Sequence, residues 1–103
     1  MAEWYDATNY QRGERGNTEP RAWEIEVGGV RIWVGTGHIA YPGTWTMHCH
    51  MLRMDVVPLG KASEMTNEEA QAEAIKRAYQ KATDIQNLIK GLMDSLPSQE
   101  NAA

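Results

Sequence analysis

The chain has one cysteine, fewer basic than acidic residues, and no apolar run near the roughly 20 residues that span a bilayer. A single cysteine rules out an internal disulfide and fits a reducing compartment, so a cytoplasmic protein is expected. The start, Met1-Ala2-Glu3-Trp4-Tyr5-Asp6, has neither the basic flank nor the apolar core of a secretory leader. Ten Lys plus Arg stand against 14 Asp plus Glu, a net charge of −4, so no general attraction to phosphate backbones exists and a nucleic-acid partner is not expected. Catalytic signatures are missing as well. Gly35-Thr36-Gly37-His38 lacks the third glycine of a dinucleotide fingerprint and the Gly-Lys-Ser/Thr of a phosphate loop, and no Gly-x-Ser-x-Gly elbow occurs. At 103 residues the chain forms one domain, too small for a large internal active-site cavity.

What is present reads as an α+β domain. Residues 1–21 are polar and contain glycine, and predict a flexible N-terminal arm, in which Trp4, Tyr5 and Tyr10 could dock on the domain or on a partner. Trp23-Glu24-Ile25-Glu26-Val27 and Val30-Arg31-Ile32-Trp33-Val34 alternate with a period of two around Gly28-Gly29. Two glycines between alternating runs predict a hairpin, because primed turns need positive φ. Its register sets Val27 opposite Val30, Ile25 opposite Ile32 and Trp23 opposite Val34 on an apolar face. Glu26 opposes Arg31, and Glu24 opposes Trp33, on the other. A third strand is expected over about 44–53, with Trp45, Met47, Cys49 and Met51 inward and Thr44, Thr46, His48, His50 and Leu52 outward.

The cover for the apolar face is one long helix, expected over about 67–96. Thr66-Asn67-Glu68-Glu69 has the form of a capping box. Ala70, Ala74, Ala78, Ala82, Ile85, Ile89, Leu92 and Leu96 then recur at spacings of four or three, flanked by Ile75, Tyr79, Leu88 and Met93, until Pro97 stops the pattern. The expected fold is therefore βββα: a three-stranded antiparallel meander on one C-terminal helix, with the domain over 22–96 and a disordered tail over 97–103. About 30 helical residues reach roughly 45 Å, against about 27 Å for an eight-residue strand. The helix should outrun the sheet, leaving Ile85, Ile89, Leu92 and Leu96 to bury against a second copy or a partner protein. Trp33 and Arg31, on the charged outer face of the sheet, form the second candidate protein-binding surface.

Tyr41-Pro42-Gly43-Thr44-Trp45-Thr46-Met47-His48-Cys49-His50-Met51-Leu52 resembles the C-terminal copper segment of multicopper oxidases over roughly ten residues. The resemblance implies Cys49 as a blue-copper thiolate and His48 and His50 as ligands of paired coppers. Met54 stands where that family has its next histidine, Leu59 stands at the axial position, and no second His-x-His exists. Three strands and a helix cannot form that family's eight-stranded barrel, so the match is read as coincidental. Strand alternation divides the segment instead. Cys49 goes inward as a packed thiol, and His48 and His50 go outward as candidate Zn or Cu ligands, with Glu24, Glu26 or His38 as further donors. The order of three strands then a helix is similar to the double-stranded-RNA-binding fold, whose last helix opens with lysines where this one opens with Glu68-Glu69. No cofactor is expected. The expected function is a small non-enzymatic protein-interaction module. Its size and acidity look like those of phage or mobile-element accessory proteins, inhibitors of host enzymes among them. A metal-binding protein through His48 and His50 is the alternative, and an unspecified small enzyme the third.

Overall fold

A computed structural model describes residues 3–10 and 20–96. The expected tail over 97–103 and residues 1–2 and 11–19 of the expected arm lie outside the described residues. The fold is α+β, with an antiparallel sheet in the order β1-β2-β3-β4-β5 and one long helix. The strands are β1 (Tyr5–Asp6), β2 (Ala22–Val27), β3 (Val30–Gly35), β4 (Thr44–Cys49) and β5 (Met54–Lys61), and the helix is α1 (Asn67–Ser95). The expected meander is thus the centre of a five-stranded sheet.

The glycine hairpin forms in the predicted register, pairing Trp23 with Val34, Ile25 with Ile32 and Val27 with Val30. Gly28 and Gly29 sit at φ 57° and 84°, the region a primed turn requires. At the other edge, β1 pairs Tyr5 with Glu24 and Asp6 with Trp23. The expected flexible arm therefore contributes a strand at Tyr5–Asp6. Thr8 secures it: the buried Thr8 hydroxyl accepts hydrogen bonds from the amides of Arg21 (2.8 Å) and Ala22 (3.0 Å). Asp6 in turn accepts the Thr8 amide at 3.0 Å, an Asx-type turn that aims Thr8 at the sheet.

The third strand was expected to run to Arg53, and the chain instead turns back at residue 50. His50–Leu52 form a single 3-10 turn, and Arg53 occupies the left-handed region at φ 55°. Met51, expected inward, is exposed, whereas Leu52, expected outward, packs against the core. From Met54 the chain returns as β5, with register shifts against β4 between Trp45 and Thr46 and between Met47 and Cys49. The extra residues of these bulges break the alternation on β5. Pro58 is tolerated there because β5 is an edge strand.

The core lies between the inner sheet face and the first half of α1. Ile25, Ile32, Val34, Trp45, Met47, Cys49 and Leu59 meet Ala70, Ala74 and Ala78. Val34, Met47, Cys49, Ala70 and Ala74 are fully buried at 0% exposure, so the thiol is packed as expected and Leu59 is core. The capping box forms: the Glu69 amide donates to Thr66 Oγ1 (3.2 Å), and the Thr66 amide donates to the Glu69 carboxylate (2.9 Å). Trp45 Nε1 donates to the Met65 carbonyl at 2.8 Å, tying the start of α1 to the centre of the sheet. Beyond Ala78 the helix leaves the sheet, and the molecule extends 64 × 24 × 24 Å.

Candidate functional site

Two surfaces carry the residues singled out by sequence. The first is the outer face of the sheet. Glu24, Glu26, Arg31, Trp33, His48 and His50, with Gly29 and Met51, line an open cleft of about 360 Å³. Strand register brings these together: Trp33 stands opposite both Glu24 on β2 and His48 on β4. The Trp33 and His48 rings stack, with centroids 4.7 Å apart and planes 7° from parallel.

Gly35 explains how the indole sits there. Trp33 and Gly35 share the outer face of β3, and a Cβ at Gly35 would come within 2.4 Å of Trp33 Cη2 and 3.1 Å of Ala22 Cβ. The missing side chain is the bed on which the indole lies. Trp33 is therefore half-buried, and Ala22 and Thr46 beside it are buried. Tyr5 and Trp4 of the arm take other positions. Tyr5 hydrogen-bonds Glu24, which raises the pKa of its phenol, and Trp4 packs on the opposite, core-facing side.

The charges on this face pair differently from the direct cross-strand expectation. Arg31 Nε lies 3.3 Å from Glu24, the diagonal neighbour, rather than against Glu26 directly opposite. Glu24 is thus committed to both Arg31 and Tyr5. Burial under Trp33, and then repulsion from His50, hold the pKa of His48 below the ordinary histidine value, opposed by Glu24 and Asp55. His48 and His50 remain neighbours, with ring centroids 5.9 Å apart, although His50 reaches the cleft from the 3-10 turn and not from the strand. His38 lies in the loop before β4, where Nδ1 accepts the Ala40 amide at 3.1 Å, and is not among the residues lining the cleft. Among the described residues, no group of three His, Cys, Asp or Glu is placed to hold a metal.

The second surface is the free half of α1. Ile89 is 55% exposed, Leu92 57% and Leu96 53%, while Ile85 is half-buried. The sequence pattern placed Tyr79, Leu88 and Met93 only on the flanks of the stripe, yet they are the most exposed apolar side chains on the helix. Their positions beside the stripe were the available signal. From Ile85 to Leu96 these residues make an apolar surface over about the last 18 Å of helix. Leu88, Ile89, Leu92, Met93 and Leu96 are all more than half exposed.

No family model matches this chain, and neither does any curated protein or solved structure to which it was compared. No helix among the described residues is long and apolar enough to cross a membrane.

Proposed function

We propose that the chain is a small, non-enzymatic protein-interaction module that binds through the overhanging half of α1. The observation that carries this reading is the row Ile85, Ile89, Leu92 and Leu96, with Leu88 and Met93 beside it, projecting past the sheet. Soluble proteins rarely leave a contiguous apolar patch of more than a few hundred Å² uncovered unless something binds it. A helix stripe with anchors at such spacing suits recognition by another helix or by an apolar groove. The Trp33 face supplies a second contact area, where a half-buried aromatic ring is rimmed by Arg31, Glu24 and Glu26.

Affinity capture tests the proposal. Wild-type chain and an Ile89→Asp/Leu92→Asp variant are immobilised side by side and exposed to a lysate of the source cells and to a differently tagged copy of the chain. The expected result is at least one protein held by the wild type and lost by the variant. Identical retained sets would sink the proposal, since the substituted side chains lie outside the core and leave the domain folded.

A further inference from the structure

We infer that the partner of the overhang is a second copy of this chain, with the two overhanging half-helices packed antiparallel. This rests on the reading of the overhang as a binding surface and names its occupant.

The stripe has coiled-coil spacing. Ala78, Ala82, Ile85, Ile89, Leu92 and Leu96 alternate at four and three residues, the a and d positions of a heptad. Ala74 and Leu92 stand about five whole turns apart, as do Ala78 and Leu96, so the face covered by the sheet and the face left open are one face. That continuity selects the direction of the partner. A neighbouring helix and the sheet both lie about 10 Å from the axis of α1. A parallel second copy would bring its own sheet to the level already occupied by the first sheet, on the same side. An antiparallel copy lays its overhang in the layer that the first sheet vacates after Ala78, and its own sheet lies beyond Leu96.

The side chains agree with that direction. Setting Ile85 against Ile89 of the other copy brings Ala82 opposite Leu92, large against small on either side of the two-fold axis, and Leu96 stops at the level of Ala78, where the other copy's sheet begins. Leu88 then meets its own equivalent across the two-fold axis, and Tyr79 comes over Met93. The two most exposed apolar residues of α1, Tyr79 at 74% and Leu88 at 73%, both fall on the flanks of this seam. Asp84, Lys90 and Asp94 point away from it, and Lys81, on the Leu88 flank, stays at the rim where its ammonium reaches water. The apolar side chains offer on the order of 600 Å² per copy, or about 1,200 Å² in the pair, the lower edge of a stable interface.

Sedimentation equilibrium on the full chain at about 100 µM should therefore return twice the chain mass, and the Ile89→Asp/Leu92→Asp variant the single mass with an unchanged far-UV spectrum. A nitroxide at Ser95→Cys reads the direction, because the buried Cys49 does not take the label. Antiparallel packing sets the two labels about 25 Å apart, and parallel packing brings them to about 10–15 Å. A single-chain mass for the wild type overturns the inference, as does a dimer that survives the double substitution or a short label distance. A monomer that still loses a captured protein on the double substitution sinks only self-association. A monomer whose capture is indifferent to the substitution sinks the interaction reading as well.

Discussion

The two halves of α1 share one face and differ in what stands opposite. In the first, Ala70, Ala74 and Ala78 are buried at 0%, 0% and 5% exposure against a sheet surface made of Val34, Trp45 and Met47. In the second, Ile89, Leu92 and Leu96 are each more than half exposed. Side-chain size is thus inverted relative to burial. Small residues sit where the sheet already supplies the bulk, and large ones sit beyond the sheet, where they stay largely exposed among the described residues. Close-packed cores reject additional volume, so alanine in the first half is a fitting constraint, whereas Ile89, Leu92 and Leu96 in the second half fill no core among the described residues.

The difference can be broken by substitution, and the largest effect belongs to the covered half. Ala74→Leu should cost about 1–3 kcal/mol in urea or thermal unfolding, because its added atoms meet a filled core. Ala82→Leu, on the exposed turn that follows, should stay within about 0.5 kcal/mol in dilute solution, where copies are separate. Equal losses at both positions would show that the sheet covers more of the helix than its geometry indicates.

A second test moves to the outer face. Gly35→Ala should destabilise by about 1–2 kcal/mol as Trp33 is driven from its bed. It should also return the His48 pKa toward the ordinary histidine value, because the covering indole is what desolvates that ring; NMR titration of the imidazole reads this. An unchanged His48 titration would separate its pKa from the stack.

Smaller again is the cap. Thr66→Ala removes the acceptor for the Glu69 amide and should lower stability by about 1 kcal/mol, measured by chemical denaturation.

The smallest effect is that of pH. A histidine with a lowered folded pKa stabilises the fold fully above its unfolded value near 6.5, and that contribution is lost as pH falls through the lower folded value. The melting temperature should therefore drop on acidification from about pH 7.5 to 5, and His48→Gln should flatten that part of the profile. A profile unaltered by the substitution would assign the acid sensitivity to other groups.

Much of the central fold was legible because it rests on local chemistry. Gly28-Gly29 set the hairpin and its register, Thr66 and Glu69 set the start of the helix, and the alanine stripe identified the covered face. The outer strands were not. β5 follows a turn with no glycine or asparagine, Arg53 taking the left-handed position, and its bulges erase the alternation by which a strand is recognised. β1 is two residues long and is held by Thr8 reaching residues 21 and 22, a contact no local pattern announces. At the candidate site, the proximity of Trp33, His48 and Glu24 followed from strand pairing. The stack of Trp33 on His48 and the diagonal Arg31–Glu24 pair did not, because both depend on side-chain direction after the strands have met.

By itself, then, the sequence determined the α+β class, the hairpin register, the burial of Cys49 and the length of a helix longer than any strand beside it. Periodicity and capping encode those features within a few residues of each other. Only the tertiary structure decided that the sheet has five strands, that the arm contributes one of them, and that His50 reaches its neighbour from a turn. It also decided where the sheet ends along α1, because coverage depends on the width of the assembled strands, which no single segment carries.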